Sequence, residues 1–161
     1  MKHYKDSSNN IYAYEADGSQ DAFILPGLTQ LSAAELDLLR NPPKSLAAIQ
    51  AEARAKLIAA RDTTITGGFT YLGKTIDSDR DSVMSTTGAG VAALAAKASG
   101  LPYSVTWTCA DDSTIVLDAD GVLGMVVALA MFADAQHTKR RPLKDAIKNA
   151  TTVEQVVAVT W

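Results

Sequence analysis

The sequence predicts an α+β protein with a small N-terminal β-hairpin and helix unit, a helical connector and a C-terminal domain of two β-hairpins packed on helices. Three observations support this fold class. Short segments of alternating polarity flank turn-forming residues at three places in the chain. Alanine-rich segments with apolar residues every three or four positions lie between and after them. Prolines and glycines separate the parts, which we place at residues 1–43, 44–62 and 63–161.

The first unit begins with the segments KHYK and IYAYEA, which flank the turn-forming residues DSSNN. These segments predict a two-stranded hairpin. Because side chains alternate across a strand, Tyr12 and Tyr14 share one face, and Ile11 and Ala13 point to the other.

A short helix is predicted next, over residues 33–40. Ser32 and Glu35 have the spacing of a capping box, in which each side chain bonds the backbone of the other residue. Pro42 and Pro43 end the helix, since proline lacks a backbone donor and disfavours helical geometry in the residue before it.

The connector is predicted as one helix that begins at Ser45. A helix of this length is marginal in water by itself, so its apolar stripe must lie on the following domain or on another copy of the chain. A homo-oligomer through this connector helix is therefore one predicted interaction. The stripe has five members at helical spacing: Leu46, Ile49, Ala53, Leu57 and Ala60.

The C-terminal domain is predicted to begin with a hairpin that turns at residues 72–74, where Gly73 can adopt positive φ. A second hairpin turns at residues 111–113. In that hairpin one face carries Val105, Trp107 and Cys109, and the other carries Thr106 and Thr108.

Three helical stretches complete this domain. One is predicted over residues 79–98, and another begins at Ala119 and is either kinked or restarted at Pro142. Thr151 and Glu154 predict a last capping box. The longest apolar run, residues 121–133, falls short of the roughly 20 residues that span a bilayer. We therefore expect a core helix and no membrane interaction.

Asp77, Asp79 and Asp81 match the first three ligand positions of a calcium loop. The glycine and the bidentate glutamate that such a loop also needs are missing, so a metal site is not predicted. The acidic residues are instead typical of a helix start, with Ser78 or Asp79 as the N-cap.

Other patterns also predict architecture. GAGVAA imitates a dinucleotide fingerprint but lies inside a helix, so we interpret it as a close helix packing surface. The basic cluster HTKRR is interpreted as a solvated helix end, with anion binding as the alternative. Cys109, the single cysteine, is predicted to be an inert core thiol.

No catalytic, metal or cofactor signature is found, and a net charge of −3 offers no broad basic face for nucleic acid. The sequence therefore predicts a protein that is not an enzyme.

Four aromatic residues of the first unit are the candidate partner-binding residues: Tyr4, Tyr12, Tyr14 and Phe23. A two-stranded ribbon is too small to bury them alone, and aromatic rings supply much of the binding energy at protein interfaces. The alternative is that they pack on the helix over residues 33–40.

Two stretches carry a resemblance to phage proteins. MKHYKDSSNNIYAYEADGSQDAFILPGLTQLSAAELDLL resembles the N-terminal module of tailed-phage tail fibre assembly proteins. GFTYLGKTIDSDRDS, WTCADDSTIVLDADGVLGM and the terminal RPLKDAIKNATTVEQVVAVTW are similar to an uncharacterised domain at the C-terminus of phage tail and tail fibre assembly proteins.

The resemblance implies a phage or prophage chaperone that binds the tail fibre protein and assists its folding or trimerisation in the bacterial cytoplasm. Fibre assembly proteins of the better-known type carry a different C-terminal half. A permanent structural component of the tail or baseplate, retained on the virion, is therefore kept as the alternative. A hydrolase or sugar-binding tip protein is a third class, for which the sequence offers no site.

Overall fold

The computed structural model describes residues 1–161 and contains two compact units, Met1–Ser45 and Leu46–Trp161. The predicted α+β fold class is confirmed, with short antiparallel hairpins packed with helices. The helix predicted as a connector is the first element of the second unit.

The first unit is a three-stranded antiparallel sheet followed by one helix. The strand order is β2-β1-β3, so β1 is central and β2 forms an edge. The elements are β1 (Lys2–Lys5), β2 (Ile11–Tyr14), a 3-10 turn (Asp21–Phe23), β3 (Thr29–Leu31) and α1 (Ala33–Arg40).

The prediction of a two-stranded ribbon was wrong, because β3 adds a third strand. This strand has only three residues and is followed almost directly by the N-cap of α1, so it shows no alternating pattern of its own. Its pairing with β1 defines it. The capping box of α1 is confirmed, since the Ser32 amide donates to Glu35 Oε2 at 2.8 Å and the Glu35 amide to Ser32 Oγ at 3.2 Å.

The second unit consists of four helices and two hairpins. Its elements are α2 (Leu46–Thr66), β4 (Phe69–Tyr71), β5 (Lys74–Ile76), α3 (Arg80–Ala98), β6 (Ser104–Thr108), β7 (Thr114–Asp118), α4 (Ala119–Asn149) and α5 (Val153–Val157). The strands pair as β4 with β5 and as β6 with β7.

The main core of the second unit lies between the two hairpins and the helices α3 and α4. The helices approach closely at Gly90, where an added Cβ would lie 2.7 Å from Val126 Cγ2. The interpretation of GAGVAA as a helix packing surface is thus confirmed. The buried residues are Phe69, Ile76, Ala93, Cys109, Leu117, Val122, Met125 and Leu129.

A second, smaller core joins α2 to the end of α4 and to α5. Four residues of the predicted connector stripe, Leu46, Ile49, Ala53 and Leu57, take part in it. Long-range bonds fix the same region: Gln50 Nε2 donates to the Ala150 carbonyl at 3.0 Å. The α2 stripe therefore lies within the second unit, and a homo-oligomer through this helix would have to use its alanine-rich opposite side.

The first hairpin turn is one residue shorter than predicted, because Lys74 pairs with Tyr71 and belongs to β5, and the second turn includes the predicted residues 111–113. Gly73 has φ of +75°, as predicted, and Leu72 also has positive φ at +48°. A two-residue turn of this kind needs positive φ at both central positions, which the sequence alone did not indicate for a leucine. In the second hairpin Asp112 adopts φ of +60°, and Val105, Trp107 and Cys109 face the core.

Two details of the last helices differ from the predictions. The final capping box uses Thr152 and Gln155, one residue beyond the predicted pair. The helix α4 continues through Pro142, so HTKRR lies inside α4 and is not a helix end. By length and composition α4 could cross a bilayer, but this evidence is weak because a core helix passes the same test.

Candidate functional site: the tyrosine face of the first unit

Three tyrosines lie together on one face of the first sheet. Tyr4 and Tyr12 are direct partners across β1 and β2, and the rings of Tyr4 and Tyr14 meet edge to face with centroids 5.6 Å apart. All three are half-buried. The structure therefore brings together three of the four predicted residues, which we call the tyrosine face.

The helix α1 covers the opposite face of this sheet. His3 pairs directly with Leu31, so both side chains point away from the tyrosines. Leu31 is the only buried hydrophobic residue of the unit, and His3 Nε2 lies 3.4 Å from Arg40 Nη2 at the end of α1. This contact of α1 thus lies on the face away from the tyrosines, which favours partner binding over the alternative that the tyrosines pack on α1.

Phe23 is the most exposed of the four candidates, at 73%. It belongs to the 3-10 turn, whose Asp21 bonds Lys2 of β1 at 2.6 Å. Leu25, two residues later, is also more than half exposed. No pattern in the sequence indicated Leu25, since its segment has no periodicity.

Hydrogen bonds set the electrostatics around these rings. The Asp6 carboxylate accepts from the Asn10 side chain and backbone and from the Tyr12 hydroxyl, and these bonds hold the pKa of Asp6 below its usual value. The same contact with Asp6 raises the pKa of Tyr12. The bond to Asp21 raises the pKa of Lys2. These charged groups stabilise the hairpin, and Lys2 and Asp6 lie beside the aromatic rings.

The sheet edge adds backbone groups to the site. Because β2 lies at the outside of the order β2-β1-β3, one side of its backbone has no strand beside it. Aromatic rings next to an unpaired edge can bind an extended segment, with the edge supplying main-chain bonds and the rings supplying contact area.

The acidic cluster of the second unit is part of the architecture. Asp79 is the N-cap of α3 and accepts from the amides of Asp81 and Ser82 at 2.9 and 3.1 Å. The Ser82 side chain and amide lower the pKa of Asp79. Ser78 is buried and accepts from the Gly68 amide at 2.9 Å. No group of three or more His, Cys, Asp or Glu side chains in the chain could hold a metal ion.

The residues that carry the C-terminal resemblance also have structural contacts. The Tyr71 hydroxyl donates to the Gly121 carbonyl at 2.7 Å, and Gly124 leaves the space that this hydroxyl needs. The Trp161 indole donates to Thr64 Oγ1 at 3.0 Å, and Lys139 lies over its ring.

Sequence reasoning missed apolar stripes that α3 and α4 leave in solvent. Each member is more than half exposed: Met84, Val91 and Leu94 on α3, and Val127 and Met131 on α4. A helix that is apolar on all sides is normally buried on all sides. The composition of both helices is therefore the signal that could have indicated a further contact.

Comparison with known proteins identifies the second unit. A family model described as Domain of unknown function (DUF4376) matches residues 48–160, which is almost all of the second unit. No match was found among curated proteins or among solved structures. Since the matched residues are well over half of the sequence, the chain belongs to the DUF4376 family.

Proposed function

We propose that this protein is a phage or prophage tail fibre assembly chaperone that binds the fibre through the tyrosine face and assists its folding or trimerisation. The observation that carries the proposal is the placement of the tyrosines on the sheet face opposite α1, next to the free edge of β2. The resemblance of the first 39 residues to fibre assembly proteins supplies the partner.

The role agrees with the physics of fibre folding. Intertwined β-rich trimers fold slowly, and their intermediates expose apolar strand edges that aggregate. A small sheet with a free edge can cover such an edge by strand addition, and its rings can bury apolar side chains of the fibre. Chaperoning of this kind needs no catalytic group.

Co-expression tests the proposal. The fibre protein is produced with and without this chain, and its soluble trimeric fraction is measured by gel filtration. We expect the fibre to be insoluble alone and soluble with the chain. Equal fibre yield in both cultures would contradict the chaperone role.

Replacement of Tyr12 and Tyr14 together by serine tests the site. Tyrosines at the centre of an interface often contribute about 2 kcal/mol each, so the Kd for the fibre should rise by at least about tenfold. The melting temperature of the second unit should not change. Replacement of Ile11 and Ala13 by serine is the matched control, because it alters the same strand on its other face.

A permanent structural component of the tail or baseplate is the second candidate. The exposed apolar stripes of α3 and α4 favour it, because such surfaces are typical of lasting contacts between proteins. Two results together would support this candidate over the chaperone. Purified particles would contain the chain in fixed copy number, and the fibre would fold equally well with and without it.

A further inference from the structure

A cavity of about 200 Å³ between α2 and α4 has a strongly basic lining. Three of its five lining residues are cations, and none is an anion. The concentration of positive charge is local, since the chain as a whole carries a net charge of −3. The lining residues are Arg54, Leu57, Ile58, Arg140 and Lys144.

These three cations line the same cavity, and none of them forms an ion pair with a carboxylate. Three lysines elsewhere in the chain, Lys2, Lys74 and Lys97, do have a carboxylate beside them. Arg140 and Lys144 are separated by one helical turn on α4, a spacing at which like charges repel. An arrangement of this kind becomes favourable when an anion enters it.

Arg54 provides an independent observation in favour of an anion site. Its Nε is buried and has no hydrogen-bond partner. Buried donors in folded proteins are almost always paired, because a donor removed from water and left without an acceptor costs free energy. An acceptor oxygen inside the cavity would pair this N–H.

We propose that the cavity binds an oxyanion, a carboxylate or phosphate group, between Arg54, Arg140 and Lys144. A guanidinium presents parallel donors that fit two oxygens of such a group, and the ammonium adds a third donor. The buried Leu57 and the more exposed Ile58 form the apolar part of the lining. The anion is either free in solution or the side chain of an acidic partner protein.

The site lies entirely in the second unit and is independent of the proposed fibre binding. It assigns a role to part of HTKRR, since Arg140 lines the cavity while Arg141 is exposed. The pair Arg140 and Arg141 therefore offers a matched comparison within one helix.

Titration of the full-length, isotope-labelled protein tests the proposal. Inorganic phosphate and a blocked tetraglutamate peptide are added separately at constant ionic strength, and nuclear magnetic resonance follows the Arg54 Nε–H and the amides of Leu57 and Ile58. We expect saturable shifts of these signals with at least one probe. Preference for phosphate indicates a free anion, and preference for the peptide indicates an acidic partner.

Substitutions locate the binding. Arg140→Gln and Arg54→Gln should each raise the Kd by about tenfold or more, whereas Arg141→Gln should leave it nearly unchanged. Lys144→Gln, at the same cavity, serves in place of Arg54→Gln if that variant fails to fold. The absence of saturable shifts with both probes, or an equal loss in Arg140→Gln and Arg141→Gln, would overturn the proposal.

Discussion

The two units differ in how many apolar residues they bury. The second unit buries them in two cores, in which Ile76, Val122 and Met125 are fully inaccessible to solvent. The first unit buries one, Leu31, and leaves Phe23 and Leu38 more than half exposed. Burial of apolar surface is the main stabilising contribution to folding, so the second unit has the larger stability.

The difference also bears on the roles that we propose for the two units. The first unit is held by local contacts such as the capping box and the exposed pair Lys2 and Asp21, which contribute little free energy. Aromatic residues that do not build a core remain free to bind a partner. The family match covers the second unit alone, which agrees with the division of the chain into two compact units.

Separation of the two units should have the largest effect on folding stability. We expect residues 46–161 to keep the cooperative melting of the intact chain, and residues 1–45 alone to be largely unfolded, because so short a segment with one buried hydrophobic residue cannot offset its chain entropy. Circular dichroism and amide signal dispersion measure both fragments. A cooperative transition in the isolated fragment 1–45 would contradict the expected difference in stability between the two units.

Two glycines of α3 allow a test of how tightly the helices pack inside the second unit. Gly90→Ala should destabilise it by about 1–3 kcal/mol, because the added Cβ would lie 2.7 Å from Val126 Cγ2 and Val126 is a stiff side chain of the facing helix. Gly88→Ala is the control, because an added Cβ there meets nothing within 4 Å. The higher helix propensity of alanine should stabilise the second unit by up to about 1 kcal/mol in this variant. Denaturant unfolding measures both, and equal effects would show that the α3–α4 contact is loose.

The smallest effect concerns acid stability at the turn of the second hairpin. Bonds from the Ser113 side chain and amide, and then from Lys74, lower the pKa of Asp111 to about 2. The folded pKa lies below the unfolded value near 3.9, so this contribution to stability is present above about pH 4 and is lost as the pH falls toward about 2.

Unfolding midpoints between about pH 4 and about pH 2 should therefore depend less on pH in Asp111→Asn than in the unaltered protein. Asp112→Asn removes a charge from the same turn and keeps the bonds of Asp111, so it should retain the original dependence. A carboxyl titration of Asp111 by nuclear magnetic resonance near the ordinary value for aspartate would contradict the expectation.

The predictable parts of the molecule depend on residues close in sequence. The caps at Ser32 and Asp79, the turn at Gly73 and the stripe of α2 each follow from side chains within a few positions of one another. The strand β3 was not predicted, because it is defined by pairing with β1 and its three residues have no pattern of their own.

The tyrosine face could be predicted only in part from the local sequence. Alternation along β2 established from the sequence that Tyr12 and Tyr14 share a face, but not which face α1 would cover. That choice depends on the register that places Leu31 beside His3.

By itself the sequence determined most of the elements, the caps of α1 and α3, the positions of the turns and the α+β class, since these follow from backbone preferences and short-range hydrogen bonds. Only the tertiary structure decided which aromatic face stays open, how α2 joins the second unit, and that Arg54 of one helix meets Arg140 and Lys144 of another. The physical reason is that these features depend on packing between residues far apart in the chain, where burial and steric fit outweigh local propensity.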